Sequence, residues 1–245
     1  MITSTKNEKV KYWKKLQTKK GRMKEGKFFI EGYHLVEEVV SSDWNVEELI
    51  FAEGTPIPDW GKSLPIQHVH GAVFNHLSQT KTPQGIAAVV HIREEPEIVG
   101  APLLLIDAIQ DPGNLGTIIR TADAAGFSGI ILGKGTVDVF NDKVIRSTQG
   151  SLFHIPIMQG DLEEAIPKLK AEGYSVWASA LEGAEIYNTV SPDGKLALIL
   201  GNEGSGIQKP LLKLADKIVK IPIYGKAESL NVSIAAGILM YYMKG

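Results

Sequence analysis

From residue 102 to residue 243, short apolar runs alternate with amphipathic segments, and this alternation constrains the fold more than any other feature. The predicted strands are 102–106, 129–132, 175–180, 196–200 and 218–223. The predicted helices are 115–125, 161–170, 210–215 and 230–243. Apolar strands that alternate with helices form a mainly parallel sheet covered on both faces. We therefore predict an α/β fold for this part of the chain.

The residues before this region predict a second, smaller α/β unit. Residues 5–20 are expected to form a helix, since Val10, Trp13 and Leu16 are spaced by three. The further predicted strands are 28–30, 46–51, 65–69 and 85–92, and the further predicted helices are 32–40 and 73–77. The acidic stretch 93–100 contains a proline and ends in glycine, as linkers do. We predict domains at 1–93 and 101–245, joined by a linker at 94–100.

Positive charge is concentrated in residues 1–27, which we call the basic leader. It contains ten lysines or arginines and only two acids, Glu8 and Glu25. Because the whole chain carries −2, a leader of +8 leaves −10 on the remainder. Such a segment can bind a polyanion through phosphate contacts, or it can simply be a solvated helix face. Charge alone leaves both interpretations open.

Composition and spacing disfavour several classes of protein. The chain has no cysteine, so it has neither disulfides nor thiolate metal sites. Its six histidines show no HxxxH or HExxH spacing, and we expect no metal site. The lysine-rich N-terminus lacks the apolar core of a secretory signal, and no apolar run reaches the length of a bilayer span. A soluble cytoplasmic protein without a membrane segment is the expectation.

Three predicted strands are followed by segments rich in polar residues and glycine, at 107–122, 201–207 and 222–233. Ligands of parallel α/β sheets bind at the carboxyl ends of strands. Turns and helix caps would explain the glycines and Ser229, but they explain Asn114, Glu203 and Asn231 less well. A ligand site is therefore predicted here. The chain lacks GxxxxGK(S/T), and its first strand in this region is not followed by GxGxxG, so P-loop and conventional dinucleotide sites are disfavoured.

The same segments resemble the three motifs of the SpoU/TrmH family of RNA ribose 2′-O-methyltransferases, in the family's order. The matching residues are Asn114-x-Gly116-x-x-x-Arg120-Thr121-Ala122, Leu200-Gly201-Asn202-Glu203-Gly204-x-Gly206, and Ile221-Pro222-Ile223 with Ser229-Leu230-Asn231-Val232-Ser233. The N-terminal part resembles the family's substrate-binding domain through Lys20-Gly21-Arg22, Phe29-x-Glu31-Gly32 and Thr82-Pro83-Gln84-Gly85. The resemblance thus covers nearly the whole chain.

The resemblance implies properties that the pattern does not show. The catalytic domain should be of SPOUT type, with a trefoil knot in its C-terminal part. The N-terminal domain should be similar to the ribosomal L30e/L7Ae fold. The cofactor should be S-adenosylmethionine, bound without metal. The substrate should be RNA, with ribosomal RNA favoured over transfer RNA because a separate N-terminal domain carries the basic leader.

The resemblance also assigns roles to residues. The expected cofactor-binding residues are Gly201, Ile221, Leu230, Leu200, Gly206 and Pro222. Arg120 faces away from the apolar stripe of its helix, and is expected either to activate the ribose hydroxyl or to clamp a phosphate and stabilise the alkoxide. Asn114 should orient Arg120 or the ribose, and Glu203 should hold Arg120 or Asn231. Ser229 and Asn231 should begin the last helix and meet cofactor and substrate.

A homodimer is expected from the resemblance and from the last helix. Its apolar side chains surround much of its circumference, so it needs burial on several sides; they include Ile234, Ile238, Leu239, Tyr241 and Tyr242. Three competing functions stay open at this point: a transfer RNA methyltransferase, a non-catalytic RNA-binding protein and a nucleotide-dependent oxidoreductase. Intact Asn114, Arg120, Glu203 and Asn231 argue against the second, and the missing GxGxxG argues against the third.

Overall fold

The structure is a computed structural model, and it describes residues 1–93 and 96–245. The helices are α1 (Glu8–Leu16), α2 (Lys19–Glu25), α3 (Tyr33–Ser41), α4 (Gly71–Leu77), α5 (Pro112–Ala124), α6 (Asp142–Thr148), α7 (Leu162–Ala171), α8 (Lys209–Leu214) and α9 (Val232–Lys244). The strands are β1 (Lys27–Glu31), β2 (Val46–Ala52), β3 (Ile66–Val69), β4 (Ile86–His91), β5 (Leu103–Ile106), β6 (Gly129–Leu132), β7 (Ile157–Gln159), β8 (Tyr174–Ser179), β9 (Glu185–Ile186), β10 (Lys195–Leu200) and β11 (Lys217–Lys220). Short 3₁₀ turns lie at Asp59–Gly61, Ser151–Phe153 and Tyr187–Thr189.

The chain divides into two compact units. The first unit combines Met1–Glu94 with Phe140–Phe153, and the second combines Glu95–Val139 with His154–Gly245. A segment from the middle of the chain therefore belongs with the N-terminal residues. The predicted linker at 94–100 includes Glu94 and Glu95, which lie outside the described residues. Our domain limits of 1–93 and 101–245 stay a prediction. The structure adds that Phe140–Phe153, which we call the exchanged segment, groups with the first unit.

The first unit contains a four-stranded mixed sheet in the order β1-β4-β2-β3. Strand β4 pairs antiparallel with both β1 and β2, while β3 pairs parallel with β2. Helix α1 contributes Val10, Trp13 and Leu16 to the core, as their spacing predicted. Within that core the Trp13 indole donates to the Glu48 carboxylate at 2.8 Å, which satisfies a buried N–H. The predicted small α/β unit is thus present.

The basic leader forms two helices, where one was predicted over residues 5–20. The Thr18 side chain accepts a hydrogen bond from the Gly21 amide at 3.1 Å and so caps a new helix, α2. Residue 21 must be glycine, since a Cβ there would lie 1.9 Å from the Lys15 carbonyl oxygen. Arg22 is buried and donates to the carbonyls of Leu16 and Gln17, at 3.3 and 2.8 Å. Arg22 therefore holds the turn between the helices.

The exchanged segment, Phe140–Phe153, packs on the first unit through aromatic rings. The centroid of Phe140 lies 4.7 Å from that of Phe28, and the centroid of Phe153 lies 5.6 Å from that of Trp44. The His34 ring lies 3.1 Å from the Gln149 carbonyl oxygen. Helix α6, in this segment, was not predicted.

The second unit contains a seven-stranded sheet in the order β7-β6-β5-β10-β8-β11-β9, and every pairing is parallel. Strands β5 and β6 are fully buried, as is β10 beyond Lys195. The prediction of a mainly parallel α/β sheet is confirmed. The trefoil knot stays a prediction, because strand order alone does not decide how the chain is threaded.

Most predicted elements of this unit are present, with ends that differ from the prediction by at most three residues. Strand β11 ends at Lys220 rather than at residue 223, and β7 and β9 were not predicted. Within the described ranges, no helix is both long and apolar enough to cross a membrane.

Candidate active site

Strands β5 and β10 bring the first two predicted segments together. They are neighbours in the sheet, with Ile106 opposite Leu200, so the loops that follow them begin side by side. The Asp107 amide donates to the Leu200 carbonyl at 2.8 Å. The buried Asp107 carboxylate accepts hydrogen bonds from the Gln208 amide at 2.7 Å and from its side chain at 2.6 Å. Asp107 therefore fixes both ends of the intervening loop at 201–207.

This glycine-rich loop is closed by Asn202. The Asn202 Oδ1 atom accepts from the amides of Gly204 and Ser205, at 2.9 and 3.0 Å. Its Nδ2 atom donates to the Ala108 carbonyl at 2.8 Å, and Ala108 has a left-handed backbone with φ of 55°. A Cβ at Gly201 would lie 2.4 Å from the Gly206 carbonyl carbon, so only glycine permits this turn.

A chain of three polar side chains joins the three motifs. The Asn114 Nδ2 atom donates to Glu203 Oε1 at 3.1 Å. The Asn231 Nδ2 atom donates to Asn114 Oδ1, also at 3.1 Å. Glu203 was predicted to hold Arg120 or Asn231, but it is bonded to Asn114, which lies between Glu203 and Asn231. Turns and helix caps gave no good reason for these three residues in the sequence. The fold brings them together, although Asn114 and Asn231 are 117 positions apart.

Glu203 is held as a carboxylate. Partial burial acts to raise its pKa, but hydrogen bonds from the Asn114 side chain and from the amides of Glu203, Gln110 and Asp111 outweigh burial. The net effect lowers the pKa of Glu203 below its ordinary value. The amides of Gln110 and Asp111 lie 3.2 and 3.1 Å from its two oxygens. Glu203 therefore ties the loop after β10 to the start of α5.

Asn231, and not Ser229, caps the last helix. Helix α9 begins at Val232, and the Asn231 Oδ1 atom accepts from the Ser233 amide at 2.9 Å and from the Ser233 hydroxyl at 2.6 Å. The prediction of α9 beginning near Leu230 with Ser229 as its cap was wrong by two residues. Because its Oδ1 caps the helix, the Asn231 amide nitrogen is left pointing to Asn114.

A cavity of about 800 Å³ opens beside this chain of residues. Its lining contains nine of the predicted site residues: Asn114, Leu200, Gly201, Glu203, Gly206, Ile221, Ser229, Leu230 and Asn231. Two predicted residues, Pro222 and Arg120, are not in the lining. Its size falls in the range of small-molecule sites, which is about 300–1,000 Å³.

One wall of this cavity was not predicted from the sequence. It consists of Ser179, the last residue of β8, and of Ala180, Leu181 and Glu182, which follow that strand; β8 lies between β10 and β11 in the sheet. The rule that ligands bind at the carboxyl ends of strands would have found them. They were passed over because no glycine-rich segment follows β8. Lys220 and Glu228 also line the cavity and were also missed.

Arg120 lies on the exposed side of α5. It forms no hydrogen bond or ion pair with the residues described, in contrast to Asn114 and Glu203, which bond to each other. The predicted contact of Arg120 with either residue is therefore absent. Its guanidinium is free to meet a ligand.

The cavity fits S-adenosylmethionine. Leu200, Ile207, Ile221, Ile223 and Leu230 line it and provide apolar contacts for an adenine ring. Gly201 and Gly206 also line it and add no side chain to its volume. Across residues 1–93 and 96–245, no group of three or more histidine or acidic side chains could hold a metal ion.

Two family models match this chain. The SpoU rRNA Methylase family matches residues 101–241, and the MRM3-like substrate binding domain matches residues 7–88. The first match spans more than half of the 245 residues, and it contains every residue of the polar chain and of the cavity lining. The chain belongs to the SpoU rRNA methylase family, and the predicted resemblance is confirmed.

Particular relatives agree with this assignment. The chain is 48% identical to the 23S rRNA (guanosine(2553)-2′-O)-methyltransferase RlmP of Bacillus subtilis, over 100% of this chain and 99% of the relative. A solved structure of an AdoMet-bound rRNA methyltransferase from Sinorhizobium meliloti superposes with a TM-score of 0.90 at 33% identity, covering 99% of this chain and 96% of the other. The SpoU tRNA modifying enzyme TrmH of A. aeolicus covers only 58% of this chain and 73% of its own, with a TM-score of 0.51 at 25% identity.

Proposed function

We propose that this chain methylates the ribose 2′-hydroxyl of a guanosine in 23S ribosomal RNA, using S-adenosylmethionine as the methyl donor. The 48% identity with the Bacillus subtilis RlmP, over 100% of this chain and 99% of the relative, carries the proposal. A transfer RNA substrate is less well supported, since the tRNA modifying enzyme of A. aeolicus covers 58% of this chain while the Sinorhizobium meliloti rRNA methyltransferase covers 99%. A ribosomal substrate places the protein in the cytoplasm.

The cavity beside the polar chain is the proposed cofactor site. Gly201 and Gly206 line the cavity without side chains, and Leu200, Ile221 and Leu230 would provide apolar contacts for the adenine. When bound, S-adenosylmethionine supplies an electrophilic methyl group on a sulfonium. The protein must therefore hold a ribose hydroxyl in line with that methyl group and exclude competing water.

Asn114, Glu203 and Asn231 are the proposed positioning residues. Glu203 fixes the Asn114 amide, and Asn114 in turn fixes the amide of Asn231. Each side chain is thereby held in a single orientation before RNA arrives, which reduces the entropic cost of binding a ribose. Ser229 lines the same cavity and is proposed to meet the ribose or the cofactor.

Arg120 is the proposed catalytic residue. A guanidinium is a very weak acid and stays protonated in proteins, so it is poorly suited to accept a proton. Its proposed role is to bind an RNA phosphate and to stabilise negative charge on the 2′-oxygen during transfer. The absence of an ion-pair partner for Arg120 in the described chain supports this role, because a phosphate would then compete with no carboxylate.

The working form is proposed to be a homodimer. Ile234 and Tyr241 are seven residues apart on α9, about two turns, and both are exposed. They give one face of α9 an apolar surface that a second copy could cover. The basic leader is proposed to bind the RNA backbone.

Methylation of defined RNAs tests the function. Unmodified 23S rRNA and a transfer RNA mixture, both transcribed in vitro, are incubated with the protein and labelled S-adenosylmethionine. We expect label only in 23S rRNA, and mapping of 2′-O-methyl sites should find one guanosine. Label in transfer RNA alone would contradict the ribosomal proposal, and label in neither RNA would contradict methyl transfer. An Arg120→Ala sample is the control for contaminating activity.

A further inference from the structure

Two aromatic side chains of the first unit form an exposed corner. The centroids of Tyr33 and Trp60 lie 5.6 Å apart, with their rings inclined at 71°. Tyr33 is 43% exposed although its ring is large and mostly apolar, and Trp60 is half-buried. Tyr33 opens helix α3, and Trp60 lies in the 3₁₀ turn between β2 and β3. We call this pair, with Gln84, the aromatic corner.

Gln84 fixes the corner and adds a polar group to it. Helix α3 has no side-chain cap of its own, because Gly32 precedes it. The Gln84 Oε1 atom accepts instead from the Tyr33 amide, at 2.6 Å. Because that oxygen is occupied, the Gln84 side-chain NH₂ carries the remaining donors. This group makes no hydrogen bond to the residues that the structure describes, and it lies beside the Tyr33 backbone.

The Trp60 ring is not kept in place by its indole N–H. That nitrogen is buried, and among the described residues it has no hydrogen-bond partner. A buried N–H without a partner costs free energy, and phenylalanine would avoid that cost. The large flat surface of the indole therefore explains why residue 60 is tryptophan.

We propose that the aromatic corner stacks an unpaired base of the RNA substrate, with the Gln84 NH₂ donating to an acceptor on that base. Unpaired RNA bases are recognised by stacking on exposed aromatic rings and by hydrogen bonds to their edges. The corner supplies both groups, and it lies within residues 7–88, which match a substrate binding domain model. This inference rests on the proposed RNA substrate and names where the first unit holds it.

Charge near the corner is compatible with RNA. Lys62 lies two residues after Trp60, and Lys81 lies three residues before Gln84. Both are exposed. Lys62 pairs with the exposed Asp59 at 2.6 Å, an ion pair that contributes little at a protein surface and that a phosphate can replace.

Substitutions that separate stacking from packing test the proposal in the full-length protein. Tyr33→Ala and Trp60→Ala should each raise the dissociation constant for unmodified 23S rRNA about five- to hundredfold. Tyr33→Phe and Trp60→Phe should stay within about threefold, since both keep an aromatic face. Tyr33→Leu should bind as weakly as Tyr33→Ala, because leucine has apolar bulk without a stacking face. Affinity for S-adenosylmethionine should be unchanged in all five variants.

Ile186→Ala is the matched control, because Ile186 is an apolar side chain of similar exposure, 40% against 43% for Tyr33, and lies outside the aromatic corner, the basic leader and the cavity lining. Its RNA affinity should equal that of the wild type. If both alanine variants bind RNA within twofold of wild type, the proposal that the aromatic corner stacks a base is wrong. It is also wrong if Tyr33→Phe loses as much RNA affinity as Tyr33→Ala. If an alanine variant fails to fold, the comparison of Tyr33→Leu with Tyr33→Phe decides. Wild type that binds no 23S rRNA would contradict the proposed function itself, and the corner with it.

Discussion

At the scale of single residues, Arg120 and Glu203 carry opposite charges in the predicted site, yet their surroundings differ. Glu203 accepts hydrogen bonds from three groups of the segment 110–114. Arg120 has no partner among the described residues. A side chain fully bonded within its own chain serves to position other groups, whereas an exposed unpaired guanidinium is available to an anion.

Replacement of Arg120 separates chemistry from structure. We expect Arg120→Ala to lower kcat at least about hundredfold, because it removes charge stabilisation from the transition state. Thermal stability and S-adenosylmethionine affinity should be nearly unchanged, since the side chain is exposed and lies outside the cavity lining. Arg120→Lys should also be poor, because an ammonium cannot reproduce a bidentate fork. Single-turnover kinetics with calorimetry would measure both effects. Near-normal turnover of either variant would contradict the catalytic assignment.

Replacement of Glu203 tests the positioning role through pH. Its pKa is lowered in the folded protein, so it contributes stability above the ordinary glutamate value of 4.5, and this stability is lost as pH falls through the lowered value. Glu203→Gln should therefore melt at a lower temperature than wild type near neutral pH, with a difference that shrinks below pH 4.5. Melting curves across this range would measure it. Glu182→Gln, an exposed acid of the same cavity without a hydrogen-bond partner among the described residues, should show no such trend.

At the scale of elements, the sequence was most informative where a pattern is long. Helix α5, with thirteen residues, and the buried strands β5 and β10 were predicted within a few residues. Strands β7 and β9 have three and two residues, and their existence depends on β6 and β11 beside them. No local pattern can encode such pairing, because it is decided by neighbours that are distant in sequence.

The candidate site shows the same limit. The sequence identified Asn114, Glu203 and Asn231 as residues that turn chemistry leaves unexplained. It did not reveal that Asn114 would lie between the other two, because that order depends on the angle of α5 and α9 to the sheet. Nor did it reveal the wall at the end of β8, where Ser179 ends the strand and Glu182 follows it outside any glycine-rich segment.

The helices of the basic leader make a prediction at this scale. Several of their cations are already paired, for example Lys15 with Glu25 at 2.6 Å, and surface pairs of this kind contribute little to stability. Lys19 and Lys20 of α2 are exposed and form no hydrogen bond or ion pair with any described residue. They are therefore the leader residues best placed to bind phosphates.

We expect Lys19→Gln with Lys20→Gln to raise KM for RNA and to reduce the slope of log affinity against log salt by somewhat under two. Turnover at saturating RNA should change little, and α2 should persist, since glutamine forms helices nearly as well as lysine. Lys168→Gln with Lys213→Gln removes two exposed charges from α7 and α8 as the control. If the slope of log affinity against log salt equals that of wild type, the leader does not bind phosphates and only keeps the protein soluble. If the methylation site shifts, the leader recognises the structure or sequence of the RNA.

At the scale of the whole molecule, sequence order and compact units do not coincide. The exchanged segment, Phe140–Phe153, leaves the second unit after β6, packs Phe140 and Phe153 on the first unit, and returns before β7. The backbone therefore passes from one unit to the other three times rather than once. A linear pattern cannot reveal this, because Phe140 and Phe153 differ in no local feature from core residues of the second unit.

An exposed apolar face of α9 is the surface that a second copy of the chain would cover. Ile234 and Tyr241 are 56% and 57% exposed on α9, which is apolar along most of its length. A two-fold dimer places the same patch of both subunits face to face. A charge introduced there is present on both patches, and the two like charges repel each other. We expect Ile234→Glu with Tyr241→Glu to sediment as a monomer and to lose methyl transfer, while wild type sediments as a dimer. Met23→Glu places a charge on an exposed apolar residue of another helix, α2 of the first unit, and should stay dimeric. Wild type that is active as a monomer at the assay concentration would contradict the dimer, because its site would then be complete in one chain.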